Sequence, residues 1–261
     1  MTMPLVLSLF PGIGLLDRAF EEEGFCIVRG PDLLWGGNIK AFHPPAGKFD
    51  GVIGGPPCQA FSRLVHIIRA KGQTPAPNLI PEFERVVNEA APEWFLMENV
   101  PAAPEPWPNG YNTSSRFLNN RAFGQEQNRQ RRFTFGSKNV PHPWRWLEFA
   151  ALEAMDYERA VVAQSSKEGA LAKSQEELRD GTSRRMQRRA SVLPGQMPRR
   201  TVARCAELQG LPADFLADAP FTAAGKYEAI GNGVPIPMGR AIAKAVRMAL
   251  AQDRREARRG T

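Results

Sequence analysis

The sequence contains little cysteine. Its 261 residues include only Cys26, Cys58 and Cys205, an odd number at wide separations. This pattern fits neither a disulfide framework nor a zinc site of the Cys-x-x-Cys type. Any cysteine chemistry is therefore expected to be thiol chemistry, and we expect no metal in the site.

Long apolar runs are also absent. No stretch of about 18 apolar residues occurs, and no charged leader precedes an apolar segment with a small-residue cleavage site. We therefore expect neither a membrane span nor a secretion signal, and we expect the protein in the cytoplasm. The length suits one globular domain or one domain with a small appendage.

Acidic residues are fewer than basic ones, which gives a formal net charge of +7 at pH 7. This charge favours a polyanionic partner, because cations placed near phosphates release condensed counterions. The segment 173–200 is especially basic, with eight Lys or Arg against three Asp or Glu. It is interpreted either as a solvated helix and linker or as a surface that faces a phosphate backbone.

Apolar runs alternate with segments of helical spacing along the first half of the chain. This alternation predicts a doubly wound α/β fold, in which a mostly parallel sheet carries helices on both faces. A tight turn is expected in IGNGVP, before the last helix. The predicted strands are 4–10, 26–32, 49–55, 93–100 and 129–137, and the predicted helices include 80–91, 201–210 and 236–252.

The segment LFPGIGLLDRAF places Gly12 and Gly14 between the first predicted strand and the first predicted helix. Without side chains there, the backbone can bend and a ligand can approach closely. The spacing differs from the G-x-G-x-x-G dinucleotide fingerprint. Asp32, at the predicted end of the second strand, can accept hydrogen bonds from both hydroxyls of a ribose. The turn is either structural or holds an adenosine ligand without a pyrophosphate, such as S-adenosylmethionine.

The stretch GVIGGPPCQAFS places Cys58 directly after two prolines, whose fixed torsions would hold a thiol in position. A loop cysteine is either an inert filler or a nucleophile. Glu98 follows an apolar strand, where desolvation raises the pKa of a carboxyl group. Its alternative roles are a helix cap or an ion-pair partner.

Six short motifs occur along the chain, namely FPGIG (10–14), GGPPCQAFS (54–62), ENV (98–100), QNRQR (127–131), RRTVARCAELQGLP (199–212) and GNGVPIP (231–237). The cytosine-C5 DNA methyltransferases of bacterial and phage type carry such motifs in this order, and the sequence resembles that family. The resemblance implies a class I fold that depends on S-adenosylmethionine, with a small irregular target-recognition domain and double-stranded DNA as the partner.

The resemblance also implies the catalytic residues. Cys58 would attack C6 of a flipped cytosine, and nearby cations would lower the pKa of its thiol. Glu98 would donate a proton to N3 of the base. Arg129 and Arg131 are expected on one face of a strand, where they orient the acid and contact the base or its phosphate. Arg132 is expected on the opposite face.

The resemblance further implies a set of cofactor-binding residues. Asn232 and Gly233 would close the pocket, although Gly231 and Gly233 could also be turn glycines only. Asn38 stands where the family usually has an acid against the adenine amino group, so we expect weaker binding there. The expected set is Phe10, Gly12, Ile13, Gly14, Asp32, Leu33, Asn38, Ile39, Pro57, Asn232 and Gly233.

Three regions are expected along the chain. A catalytic and cofactor-binding domain covers 1–140, and a small target-recognition region covers 141–198. The segment 199–261 holds the rest of that region and the helices that return to the catalytic domain. The segment 63–78 is expected to close over DNA as a mobile loop, with phosphate contacts from Arg63, Arg69 and Lys71.

These features identify the sequence as resembling a DNA cytosine-C5 methyltransferase that acts as a monomer, beside a restriction endonuclease or alone. Two alternatives stay open. One is the same chemistry on tRNA, although the CFT-like signature of that branch is absent. The other is a catalytically silent DNA-binding homologue, which the retention of Cys58, Glu98, Arg129 and Arg131 argues against.

Overall fold

A six-stranded sheet lies at the centre of the fold. The computed structural model describes residues 3–61, 74, 76–150, 158–161 and 200–259. Contacts divide the chain into two compact units, one of Met1–Arg159 with Val234–Thr261 and one of Ala160–Gly233. Most of the expected recognition region and of the expected loop 63–78, including Arg63, Arg69 and Lys71, lies outside the described residues. The expected domain boundaries stay predictions.

The six strands of the sheet run mostly in parallel. They are β1 (Leu5–Leu9), β2 (Cys26–Arg29), β3 (Gly51–Gly54), β4 (Trp94–Asn99), β5 (Asn112–Asn119) and β7 (Gln130–Ser137), while β6 (Gln127–Asn128) pairs separately with β8 (Glu158–Arg159). The order across the sheet is β2-β1-β3-β4-β7-β5, in which β7 runs opposite to the other five strands. This topology confirms the predicted α/β fold class.

Both faces of the sheet are covered by helices of the first unit, namely α1 (Leu15–Glu22), α2 (Ile80–Ala90) and α5 (Ile236–Arg259). Because successive strand residues point to opposite faces, neighbouring apolar residues feed two separate cores. Val6 packs in the core formed with α1 and α5, and Leu7 packs in the core formed with α2. Helices α1 and α5 approach closely, since a Cβ at Gly239 would lie 2.8 Å from the Cβ of Ala19.

Two elements of the first unit differ from the prediction. β2 ends at Arg29 instead of continuing to residue 32, because Gly30 and Pro31 follow and proline cannot donate to a sheet. β5 was not predicted from the sequence NTSSRFLN, which has no apolar alternation. Most of its residues are at least partly exposed, as the position of β5 at the edge of the sheet permits.

The second unit contains two described helices, α3 (Val202–Leu208) and α4 (Ala223–Asn232). Thr201 and Thr222 cap their first turns through side-chain oxygens. The amide nitrogen of Gln209 donates to the carbonyl of Ile230 over 2.8 Å. The prediction of a tight turn in IGNGVP (230–235) is wrong for residues 230–232, because these residues form the last turn of α4.

None of the helices in the described part of the chain is both long and apolar enough to cross a membrane.

Candidate active site

The turn that carries Cys58 begins where β3 ends. Residues 55–57 leave the sheet, and Cys58 starts a single 3₁₀ turn, Cys58–Phe61. Asn99, at the end of the neighbouring strand β4, donates its side-chain Nδ2 to the carbonyl of Pro56 over 3.0 Å. Its Oδ1 accepts from the backbone N–H of Val100 over 2.8 Å. The buried Asn99 amide therefore ties the proline turn to the end of β4.

Glu98 lies beside this turn. β3 and β4 are parallel neighbours with Gly54 opposite Met97, so the next residues, Gly55 and Glu98, are also adjacent. A Cβ at Gly55 would lie only 3.2 Å from Oε2 of Glu98. The missing side chain at Gly55 therefore leaves room for the carboxyl group between the strand and the proline turn.

Two arginines complete the cluster. Nε of Arg131, on β7, lies 2.8 Å from Oε1 of Glu98, and only 13% and 9% of the two side chains are exposed. Arg129 is fully buried, but it occupies the gap of one residue between β6 and β7. The prediction that β7 includes Arg129 is therefore wrong. Pairing places Arg132 opposite Asn99 and Glu98 opposite Phe133, so Arg132 faces away from the cluster as expected.

The electrostatics of the cluster follow from burial. Burial raises the pKa of the Cys58 thiol, and Glu98 raises it further, whereas Arg131 and Arg129 lower it. The cations therefore lower this pKa as expected, but desolvation outweighs them and the net shift is upward. Burial also raises the pKa of Glu98, as expected, although Arg131 and Arg129 both act to lower it. Burial and the charge of Arg131 hold the pKa of Arg129 well below its usual range.

This arrangement suits acid and nucleophilic chemistry at one point. A carboxyl group with a raised pKa holds its proton to a higher pH than an ordinary carboxyl group does. The two arginines together carry one more charge than Glu98 can neutralise, so the cluster can stabilise a thiolate once it forms. In the described residues, no group of three or more His, Cys, Asp and Glu side chains could hold a metal ion.

A second site lies where β1 turns into α1. Phe10, Gly12 and Gly14 have φ angles of 56°, 54° and 76°, all in the left-handed region. This conformation is uncommon for a non-glycine residue, and it marks the turn at Phe10 as a candidate functional segment. A Cβ at Gly12 would meet no atom within 4 Å. Glycine is therefore needed for the backbone conformation and leaves open space for a ligand.

Asp32 lies next to that space. Its Oδ2 accepts from the N–H of Gly12 over 2.8 Å, and its Oδ1 accepts from the N–H of Leu34 over 2.7 Å. Each carboxylate oxygen has a second lone pair that can accept from a hydroxyl. Leu33 and Trp35 are 73% and 60% exposed, and the indole N–H of Trp35 donates to the carbonyl of Gly12. Apolar surface, an acceptor and an open glycine turn fit the adenosine part of S-adenosylmethionine.

The remaining expected cofactor residues are spread over both units. Asn38 is exposed and accepts from the N–H of Lys40 over 3.0 Å, while Ile39 is buried behind it. Ile13 and Pro57 are half-buried in the two turns already described. Asn232 and Gly233 belong to the second unit, at the end of α4. Their contact with a cofactor stays a prediction.

Asn99 was not predicted as a site residue. It is 1% exposed, and its amide is the polar contact that holds the proline turn. The sequence feature that could have indicated Asn99 is its position directly after Glu98, at the end of a buried strand. A short amide at that point can reach the backbone of the neighbouring strand end, whereas an apolar residue would leave the Pro56 carbonyl without this donor.

We predict that Asn99→Ala lowers the rate constant for chemistry at the Cys58 thiol by about 10-fold to 100-fold, because a displaced turn misaligns this thiol. The loss of the buried hydrogen bonds is expected to lower the free energy of unfolding by about 1–3 kcal/mol. Single-turnover kinetics and urea unfolding measure the two effects.

The matched control is Asn109→Ala, because the side chain of Asn109 is exposed. We expect this variant to resemble the wild type in both measurements. A rate constant for Asn99→Ala equal to that of the control would show that the amide does not position the turn.

Solved structures have the same fold. A DNA modification methyltransferase encoded within a prophage of E. coli matches with a TM-score of 0.63 at 18% identity, covering 96% of this chain and 100% of the other. Spodoptera frugiperda DNMT2 matches with a TM-score of 0.58 at 13% identity, covering 95% and 100%. The mostly parallel sheet and these neighbours place the chain among proteins of the class I methyltransferase fold.

The comparison with a family model is more specific. The model described as C-5 cytosine-specific DNA methylase matches residues 37–106 and 149–248, well over half of the chain. The chain belongs to this family, which confirms the resemblance carried by the six motifs. Cys58 and Glu98 lie inside the matched residues, whereas the first glycine turn and both arginines of the cluster lie outside them.

Two curated relatives are named Type II methyltransferases. M.NgoPII, a Type II methyltransferase of Neisseria gonorrhoeae, is 30% identical over 50% of this chain and 47% of its own length. The chain thus spans about half the length of this relative. M.MthTI, a Type II methyltransferase of Methanothermobacter thermautotrophicus, is 26% identical over 93% of this chain and 96% of its own length.

Proposed function

We propose that the protein is an S-adenosylmethionine-dependent DNA methyltransferase that acts on C5 of cytosine. The observation that carries this proposal is the convergence of the Cys58 turn, the buried Glu98, the buried Arg129 and the half-buried Arg131 at one end of the sheet. Family membership supplies the reaction class, and the cluster supplies a side chain for each demanding step.

Cytosine is a poor nucleophile at C5, so the reaction needs a temporary covalent bond to C6. The Cys58 thiolate forms this bond, and C5 then gains enamine character. Because burial raises the pKa of the thiol, most of Cys58 is protonated at neutral pH before substrate binds. Approach of the base and the charges of Arg129 and Arg131 favour the thiolate in the complex.

Glu98 promotes the addition by protonating N3 of the ring, which draws electron density away from C6. Its raised pKa keeps this proton available, and the 2.8 Å contact with Arg131 fixes the direction of the carboxyl group. The thiol gives its proton to water when the thiolate forms. After the methyl group is in place, the C5 proton passes to water and the bond between C6 and sulfur breaks to release the thiolate. N3 then returns its proton to Glu98, and the thiolate regains a proton from water. The cycle thus regenerates both side chains.

The cofactor supplies an electrophilic methyl group when it is bound. Phe10, Gly12 and Gly14 shape the turn against it, and Asp32 would accept from the ribose hydroxyls. The exposed side chains of Leu33 and Trp35 offer apolar surface for the adenine. The other predicted contacts of Ile13, Asn38, Ile39, Pro57, Asn232 and Gly233 belong to the same proposal.

Double-stranded DNA is the proposed substrate, since the net charge of +7 favours a polyanion. The target base reacts only after it is flipped out of the stack, at a cost of a few kcal/mol. The names of the relatives support a role beside a restriction endonuclease. We propose a monomer, because each side chain of the proposed chemistry comes from one chain.

Transfer of tritiated methyl groups to DNA and to tRNA tests the proposal. We expect labelled 5-methylcytosine in a random-sequence duplex pool and no label in total tRNA. Base-resolution methylation sequencing of DNA from expressing cells then gives the target site. Label in tRNA alone would assign the chemistry to RNA, and no label in either would favour a silent DNA-binding homologue.

A further inference from the structure

A guanidinium group lies beside the first glycine turn without belonging to the predicted cofactor site. Arg29 is the last residue of β2, and its Nε donates to Oδ2 of Asp17 on α1 over 3.0 Å. The hydroxyl of Ser8 donates to the other oxygen of Asp17 over 2.5 Å. The Asp17 side chain is 1% exposed, whereas that of Arg29 is 56% exposed. The buried carboxylate therefore holds the guanidinium through Nε, while more than half of the Arg29 side chain stays exposed.

The guanidinium also lies against Gly14. A Cβ at Gly14 would lie 2.8 Å from Nη2 of Arg29 and 3.1 Å from its Cζ. Within the described part of the chain, Asp17 is the only side-chain partner of Arg29. Both Nη atoms therefore keep their hydrogens for water or for a ligand, directly beside the turn that leaves open space at Gly12.

The two glycines of the turn thus have neighbours of opposite charge. The N–H of Gly12 donates a hydrogen bond to the carboxylate of Asp32, and Gly14 lies against the guanidinium of Arg29. S-adenosylmethionine has a matching polarity, with ribose hydroxyls that seek an acceptor and an amino-acid carboxylate that seeks a cation. Guanidinium and carboxylate form strong charge-assisted hydrogen bonds.

We propose that Arg29 binds the carboxylate of the amino-acid part of S-adenosylmethionine through its Nη atoms. Asp17 holds the guanidinium through Nε, and Ser8 holds Asp17. This inference rests on the proposed function, because it assumes that the glycine turn receives this cofactor. It assigns Arg29 as a cofactor-binding residue, with Asp17 and Ser8 as positioning residues.

Two ligands that differ only in the carboxylate test the inference. Titration calorimetry of the full chain measures the affinities for S-adenosylhomocysteine and for S-adenosyl-3-thiopropylamine, which retains the amine but lacks the carboxylate. We expect Arg29→Ala to weaken S-adenosylhomocysteine about 10-fold to 100-fold, as expected for a lost hydrogen bond to a charged group. The affinity for the amine is expected to stay unchanged. The ratio of the two affinities does not depend on the folded fraction of a preparation.

Two controls separate this role from a structural one. Arg18→Ala removes the same charge from α1, where Arg18 pairs with Glu22 away from the turn, and it should leave both affinities unchanged. Asp17→Asn retains Arg29 but replaces the charged acceptor of its Nε, so it should reduce the preference for the carboxylate ligand less than Arg29→Ala does. Equal losses for both ligands in Arg29→Ala, or no loss for either, would overturn the inference and leave the proposed function standing. Absence of binding of either ligand to the wild type would overturn both.

Discussion

Replacing Cys58 by alanine is expected to abolish methylation of cytosine, with a loss of about 10⁴-fold or more in rate. The reason is that no other described group of the cluster can form and release a covalent bond at C6. Arg129, Arg131 and Glu98 provide charge and a proton, but none of them is a nucleophile. Release of tritium from C5 of labelled cytosine measures the effect directly.

The affinity for S-adenosylhomocysteine is expected to stay unchanged in this variant, because the proposed role of the thiol is to attack the cytosine and not to bind the cofactor. Cys26→Ala is the matched control, since Cys26 is an exposed thiol on β2. It should retain full activity. A Cys58→Ala enzyme that still methylates DNA at a substantial rate would remove the nucleophile from the mechanism.

Replacing Glu98 by glutamine is expected to lower kcat/KM by about 10²-fold to 10⁴-fold, the range for loss of a general acid. Glutamine retains the shape of the side chain beside Gly55 but cannot protonate N3. It also leaves the buried Arg129 and the half-buried Arg131 without their carboxylate. Steady-state kinetics with a duplex that contains the mapped target site measure the loss.

The pH dependence of kcat/KM separates the proton donor from a merely structural role. The active form needs protonated Glu98 together with ionised Cys58, and burial raises the pKa of both groups. For the wild type we expect a bell-shaped profile, in which the alkaline decline reflects the loss of the Glu98 proton. The Glu98→Gln profile should rise with ionisation of the thiol and then stay level. An alkaline decline retained in Glu98→Gln would contradict the assignment.

The fold was largely predictable because its strands are short and apolar. β1, β3 and β4 bury nearly every residue, and such runs between helical segments indicate a parallel sheet. β5 escaped prediction because it lies at the edge of the sheet, where its polar residues meet solvent. The end of β2 at Arg29 could have been predicted, because Gly30 and Pro31 follow it.

The residues of the site could be predicted from the sequence, but the net shift in the pKa of Cys58 could not. Cys58 and Glu98 were predicted because GGPPCQAFS and ENV resemble motifs of the family, whereas the local sequence alone left a structural role open for each residue. The pKa of Cys58 depends on how deeply the folded chain buries the thiol, which no local pattern reports. Asn99 and Arg29 act through contacts between residues that are 43 and 12 positions apart. Such contacts appear only once the strands are paired.

Covalent trapping tests the central claim most directly. The protein is incubated with S-adenosylmethionine and a random-sequence duplex pool in which 5-fluorocytosine replaces cytosine, so that every target site is present. Fluorine cannot leave C5 as a proton does, so the account predicts a stable adduct, mapped by mass spectrometry to the peptide that contains Cys58 and absent in Cys58→Ala. No adduct from an enzyme that methylates ordinary DNA, or an adduct at Cys26 or Cys205, would contradict it.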